Sequence, residues 1–217
     1  MFLLDILSPL LSVSIAMGKE FGDILYYLRG ERKEMSVIDF NLSKDAVQVE
    51  ITDEYVGYIF TATKYCLVKN THSPGVVANI TGGIVGGIRL YWEPLSQKQQ
   101  NTMGDPGKAT EKAAEGIAFI VIDKFTKYKI GIQAFVGSGF DFYLFPKDIE
   151  ASLSSFNNDC LKLEISGIDK KSSTNKVETR IKQKCQQASR IKDSIPYYVI
   201  VAEFSDPAVE VKHGYSI

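Results

Sequence analysis

Gly137-Ser-Gly-Phe-Asp141-Phe-Tyr-Leu-Phe145, followed after a polar spacer by Cys160-Leu-Lys-Leu-Glu164-Ile-Ser-Gly167, is the stretch on which the fold turns. Each half reads as a short apolar strand carrying a single carboxylate. Asp141 follows a Gly-Ser-Gly turn and sits among Phe140, Phe142, Tyr143 and Leu144; Glu164 sits between Leu163 and Ile165. A carboxylate in such a setting is costly unless it is paired, hydrogen-bonded or bound to a cation. Two on adjacent strands, with a basic residue nearby, are suited to a hard divalent cation such as Mg2+ or Mn2+. The plainer reading is that both point to solvent from half-exposed strands.

The flanking sequence extends the pattern. Residues 130–136 read as a strand, Gly137-Ser-Gly139 as its turn, and 140–145 as the return strand of a hairpin. In 161–165 the two-residue repeat puts Lys162, Glu164 and Ser166 on one face, and Leu161, Leu163 and Ile165 on the other. Upstream, from Ala109, the period becomes helical. Ala114, Ile117, Ala118, Val121, Ile122 and Phe125 form the apolar stripe, and Thr110 lies near the expected N-cap. Glu111 and Glu115 lie one turn apart at the helix start, so either can face inward, while an exposed, dipole-favourable Glu is the ordinary reading for one of them. Downstream, residues 176–192 form an amphipathic helix with Val177, Ile181, Cys185 and Ala188 inward. Lys176, Arg180, Lys182, Lys184, Arg190 and Lys192 make it the most basic segment of the chain. Solvated charge is the common explanation for such residues; contact with a phosphate backbone is the functional one. Residues 197–204 are an apolar run ending near Glu203, the signature of a central strand. A last short strand is expected over 209–212.

The order from residue 109 is therefore helix, strand, strand with Asp, strand with Glu, helix, strand. This order resembles the restriction-endonuclease-like fold, the PD-(D/E)XK nuclease superfamily. The motifs Gly137-Ser-Gly-Phe-Asp-Phe-Tyr-Leu144 and Leu163-Glu-Ile-Ser-Gly167 resemble, within it, a family of bacterial proteins of uncharacterised activity. The resemblance covers residues 108–212. It implies an α/β (α+β) fold with a mixed sheet flanked by helices in the C-terminal half. It also implies a metal-dependent nuclease hydrolysing DNA phosphodiester bonds, with Asp141 and Glu164 as ligands of Mg2+ or Mn2+ and Glu111 or Glu115 as the first-helix carboxylate. Arg180, Lys182 and Arg190 would contact the nucleic acid. In that superfamily a Lys follows the strand Glu by two positions, where this chain has Ser166. A Ser cannot supply the positive charge that stabilises a metal hydroxide or a developing phosphorane. The substitutes are Lys162 on the same strand face, Lys170 or Lys171 from the loop, and Lys184 or Arg180 from the following helix, Lys184 being preferred.

The N-terminal half is read from its residues alone. Residues 2–33 are expected to be helical, with Leu3, Leu4, Leu7, Leu10 and Leu11 on one stripe and Pro9 as a kink. The apolar run is interrupted by Asp5, Ser8, Ser12 and Ser14, too short and too polar for a membrane span. A docking helix, or a contact to a protein partner or a second copy, is the expected role. Residues 36–94 are expected to be β-rich, a small antiparallel sheet. Val47, Val49 and Ile51 alternate with polar residues, and 55–67 is rich in aromatic and β-branched side chains. Gly82-Gly-Ile-Val-Gly-Gly87 lacks the Lys-Ser/Thr of a phosphate loop and reads as tight β geometry. Residues 94–109, rich in Pro, Gly and Gln, read as a linker.

Composition bounds the alternatives. The 217 residues are 45% hydrophobic and 24% charged, with a formal net charge of −1. They can bury a substantial core and give no global sign of nucleic-acid or membrane-surface binding, so DNA contact needs a local basic patch. The three cysteines are widely spaced and form no zinc-binding pattern, which fits free thiols in a reducing cytoplasm. A thiol–imidazole pair from Cys66 and His72 lacks an orienting group, and a buried thiol beside a surface His is preferred. Ser166 and the near-neutral charge also support a second reading: a catalytically inactive member of the same scaffold acting as an interaction or immunity-type module.

Overall fold

The computed structural model describes residues 36–152, 154, 159–190 and 195–215. The helical and partner-binding expectation for the first 35 residues lies outside them. Eight strands form one mixed sheet: β1 (Val37–Asn41), β2 (Val76–Gly82), β3 (Gly86–Tyr91), β4 (Tyr128–Gln133), β5 (Phe142–Pro146), β6 (Leu161–Ile168), β7 (Tyr197–Glu203) and β8 (Ala208–Gly214). Their order is β1-β3-β2-β8-β7-β6-β5-β4. The described helices are α1 (Asp53–Lys69), α2 (Gln97–Asn101), α3 (Pro106–Phe125) and α4 (Val177–Ser189).

The C-terminal elements follow the sequence reading closely. β4, β5 and β6 are successive antiparallel neighbours. The connection from β6 to β7 then passes through α4 and makes those strands parallel, from Lys162↔Tyr197 to Ile168↔Glu203. A parallel neighbour requires such a crossover. Strand alternation sorts the layers. Leu161, Leu163, Ile165, Ile200 and Ala202 join the core beneath α3. Ile168, Val199 and Val201 join Ile181 and Ala188 of α4 on the other side.

The structure corrects several expectations in the N-terminal half. Residues 53–69 are a helix rather than strands. Thr52 caps it, Asp53 and Glu54 suit its dipole, and Ile59, Phe60, Thr63, Cys66 and Leu67 are buried at helical spacing. The β-branched and aromatic composition is overridden by packing on α3, where Gly116 permits close approach: a Cβ there would lie 2.3 Å from Thr63 Oγ1. The alternating Val47–Ile51 run supplies one isolated bridge, Val49 to Ile130, rather than a strand. The 94–109 stretch contains α2, closed by a Ser96/Gln99 capping box. α3 starts earlier than expected, with Asp105 as N-cap and Pro106 in its first turn.

The first three strands do not form a sheet of their own. β2 pairs in parallel with β8, from Asn79↔Ala208 to Gly82↔Val211, so both halves of the chain share one sheet. α3 is buried on all sides from Ala113 to Asp123, between α1 and the sheet, instead of along one stripe.

Candidate functional site

The site forms where β5 stops pairing with β6. Their last paired residues on this side are Phe142 and Leu163. Asp141 N donates to Leu163 O at 2.9 Å, just before β5 begins. Beyond this point no strand pairs with β6 on that edge among the described residues, and Asp141 Oδ2 accepts the next edge amide, Ile165 N, at 2.7 Å. Asp141 therefore performs a structural task with one oxygen.

Glu164 is 3% exposed and points to the α4 face of β6. Lys184, on α4, places Nζ 2.5 Å from Glu164 Oε1. Lys184 is thus the basic side chain that α4 brings to this face of β6. The other substitutes have different partners. Lys162 stands over the Phe140 ring at 5.5 Å, Lys171 pairs with Asp206 at 2.5 Å, Arg180 donates to Asn175 Oδ1 at 2.9 Å, and Lys170 is exposed. Lys182 and Arg190 are exposed on α4, as a backbone contact requires.

The electrostatics mark a cluster. Burial, followed by the nearby Asp141 charge, pushes the Glu164 carboxyl up to about 7 despite the Lys184 ammonium. Burial also raises Asp141, partly offset by the Ile165 amide and the charges of Lys184 and Lys112. Charge repulsion from Asp141 reaches Glu115, and that from Glu111 reaches Asp141. A buried carboxylate beside a half-buried one that opposes its ionisation is a common precursor of a cation or proton site.

The two helix acids have separated. Glu111 is exposed at a cleft of about 290 Å3 lined by Pro106, Gly107, Thr110, Gly167 and Asp169. The glycine of the Leu163–Gly167 motif shapes this cleft: a Cβ at Gly167 would lie 2.5 Å from Thr110 O. Glu115 is buried and has both oxygens occupied. Tyr55 OH donates to Oε2 at 2.6 Å and Lys112 Nζ to Oε1 at 2.8 Å. Lys112 also reaches Tyr55 OH at 2.9 Å. Burial and then the bond to Glu115 push Tyr55 up to about 12. Tyr55 had no place in the sequence reading, because its segment was read as a strand.

Asp141 Oδ1 and Glu164 Oε2 accept no hydrogen bond among the described residues. Carboxylate oxygens are the donors that Mg2+ and Mn2+ take, through one or two carboxylates together with water. No group of three His, Cys, Asp or Glu side chains forms a cation cage among the described residues. Cys66 and His72 do not assemble as nucleophile and base. Burial pushes the Cys66 thiol up to about 12, with a hydrogen bond to Thr110, and His72 Nε2 lies 2.8 Å from Phe204 O. Among the described residues no helix is long and apolar enough to cross a membrane. No protein-family model, curated protein or solved structure matches the chain.

Proposed function

We propose that residues 108–212 form a restriction-endonuclease-like domain and that the chain is a metal-dependent nuclease acting on DNA. The observation that carries this reading is the Lys184 ammonium on Glu164 next to Asp141. It restores, from α4, the acid–acid–lysine set that Ser166 breaks in the linear motif. The helix, three antiparallel strands, helix and parallel strand around the site support it.

In this reading Asp141 and Glu164 would hold Mg2+ or Mn2+. When bound, such an ion polarises a phosphoryl oxygen and lowers the pKa of attached water. Glu164 would have to be ionised to hold such an ion. Lys184, no longer held by Glu164 alone, donates to the attacking water or to a non-bridging phosphate oxygen. A donor aimed at developing charge is worth about 100-fold or more in rate. Glu111 at the cleft is the helix acid, and Glu115 braces α3 against α1. Lys182 and Arg190 lie along the phosphates, where each contact adds to the salt dependence of binding.

The test is cleavage of supercoiled and linear DNA with Mg2+ or Mn2+, wild type beside Asp141→Asn, which keeps an acceptor for Ile165 N. Metal-dependent nicking lost in the variant is expected. A folded wild-type protein that cleaves neither form overturns the reading. A second reading has its own observation: Asp141, Glu164 and Glu115 each already have a protein partner, through Ile165 N, Lys184, and Tyr55 with Lys112. On that basis the scaffold is a catalytically inactive interaction or immunity-type module. It expects Asp141→Asn to leave partner binding unchanged.

A further inference from the structure

Between Thr110 and Phe119, α3 runs antiparallel to β6. At one end a Cβ on Gly167 would lie 2.5 Å from Thr110 O. At the other, Phe119 meets Phe142 with ring centroids 5.2 Å apart, and Phe142 pairs with Leu163. The helix rises about 13 Å over that interval and the strand from Leu163 to Gly167 spans about 13 Å, so the two keep step. Asp141, bonded to Ile165 N, marks the middle of the strand interval. The middle of the helix interval is the turn from Lys112 to Glu115. Glu115 lies one turn before Phe119, and Lys112 one turn before Glu115. All three therefore share the side of α3 that turns toward Phe142 and, where β5 ends, toward Asp141.

Lys112 is held in place there. Its Nζ donates to Glu115 Oε1 at 2.8 Å and to Tyr55 OH at 2.9 Å, and it stands 5.2 Å from the centre of the Tyr55 ring. An ammonium has three donors, and the third has no acceptor among the described residues. The Lys112 side chain is 27% exposed against 11% for Glu115, so that donor opens to solvent while the carboxylate stays covered. The Lys112 charge is felt at Asp141: burial raises that carboxyl, and the Ile165 amide, Lys184 and Lys112 oppose the rise. Two ammoniums thus bracket the open edge of β6, Lys184 from α4 and Lys112 from α3.

We propose that Lys112 is a second phosphate-binding residue, whose free donor contacts a non-bridging oxygen of the DNA phosphate at Asp141 and Glu164 from the side opposite Lys184. The proposal rests on the nuclease reading and adds to it the path of the substrate: the cleaved strand crosses the open edge of β6 between α3 and α4. A phosphodiester spreads its negative charge over two non-bridging oxygens, and a lysine on each side gives each oxygen a donor. An ammonium fixed by Tyr55 and Glu115 has already given up its rotamer freedom, so little more is lost when phosphate binds. A lysine that only neutralised Glu115 would gain nothing from an open third donor.

The experiment compares wild type with Lys112→Met, Lys112→Arg and the double variant Lys112→Met/Glu115→Gln, which leaves no buried carboxylate without its cation and so decides the matter if Lys112→Met fails to fold. Binding to short duplex DNA is titrated over a range of salt with Ca2+ in place of Mg2+, and Mg2+-dependent nicking is measured separately. Both variants lacking the ammonium are expected to bind about tenfold more weakly and to lose about 0.9 from the slope of log affinity against log salt, the share of one phosphate contact. Lys112→Arg is expected to keep the wild-type slope. Wild-type affinity and slope in the double variant, with nicking intact, overturn the phosphate contact, make Lys112 a brace for Glu115 and leave the nuclease standing. Binding that depends on Lys112 without nicking by the wild type overturns the cleavage and keeps the contact. A wild type that neither binds nor nicks DNA overturns both.

Discussion

Two carboxylate–lysine arrangements, each around one buried Glu, lie close together in this protein, and they are finished to different degrees. At the α1–α3 contact, Glu115 spends both oxygens, one on Tyr55 and one on Lys112, which themselves touch. At the open edge of β6, Asp141 and Glu164 each spend one oxygen on the protein and oppose one another's ionisation. A buried charge with every lone pair satisfied is a brace. A pair left half satisfied stores unfavourable energy that a ligand can relieve. On the proposed reading, the difference separates a structural acid, Glu115, from the acids that would bind a cation.

The largest expected effect tests the unfinished pair. Asp141→Asn is expected to reduce metal-dependent cleavage by about 1,000-fold or more, since it removes charge from a metal ligand. The same variant should be no less stable than wild type to urea at pH 8, because it removes a repulsion and keeps the Ile165 bond. A large loss of stability with little loss of activity would reverse the comparison.

Glu115→Ala probes the finished network. It leaves the Tyr55 hydroxyl and the Lys112 ammonium without their acceptor, at a cost of about 3 kcal/mol in urea unfolding. Activity measured well below the transition is expected to stay within a few-fold. If Glu115→Ala abolished cleavage in a folded protein, Glu115 would belong to the site.

Lys184→Met should cost about 100-fold in turnover, with DNA binding in low salt reduced far less. A Lys184 that only neutralises Glu164 would give the opposite split.

Metal affinity should also follow the Glu164 proton. Its carboxyl titrates near 7 when folded, against an ordinary value of 4.5. Between those pH values the folded chain holds the extra proton, so Glu164 lowers stability as pH rises through that window and adds no further change above it. Metal binding requires the carboxylate, so apparent Mg2+ affinity should rise about tenfold from pH 6 to pH 8. Calorimetry in buffers of different ionisation enthalpy should show about one proton released at pH 6. A pH-independent affinity would detach Glu164 from the metal. The smallest effect is that of Tyr55→Phe, which removes one bond from the Glu115 network, at about 1 to 2 kcal/mol.

Much of the C-terminal half was legible because its hydrophobic periods are clean. Leu161, Leu163 and Ile165 alternate with Lys162, Glu164 and Ser166 and take the opposite faces that alternation requires. Val177, Ile181, Cys185 and Ala188 keep helical spacing. Lys184 was among the candidates because it lies on the helix following β6, but only the β6–α4–β7 crossover brings it to Glu164. α1 was misread because Tyr55, Val56, Tyr58, Ile59, Phe60 and Thr61 suit a strand when taken one by one. The competing signals were Thr52 with Asp53 and Glu54, and burial recurring at Ile59, Thr63, Cys66 and Leu67. Composition lost to cap and period there, as tertiary packing commonly decides. The pairing of β2 with β8 joins residues more than 120 positions apart and leaves no local trace.

That pairing has a consequence for how the chain reaches its native state. β8 lies in the middle of the sheet, yet it follows every other strand in the sequence. During synthesis, the β1-β3-β2 block must wait with one edge uncovered until residues 208–214 leave the ribosome and bridge it to β7. Such distant closure slows folding and exposes strand edges in the meantime. The order of emergence therefore makes the centre of the sheet the last of these strands to be sealed.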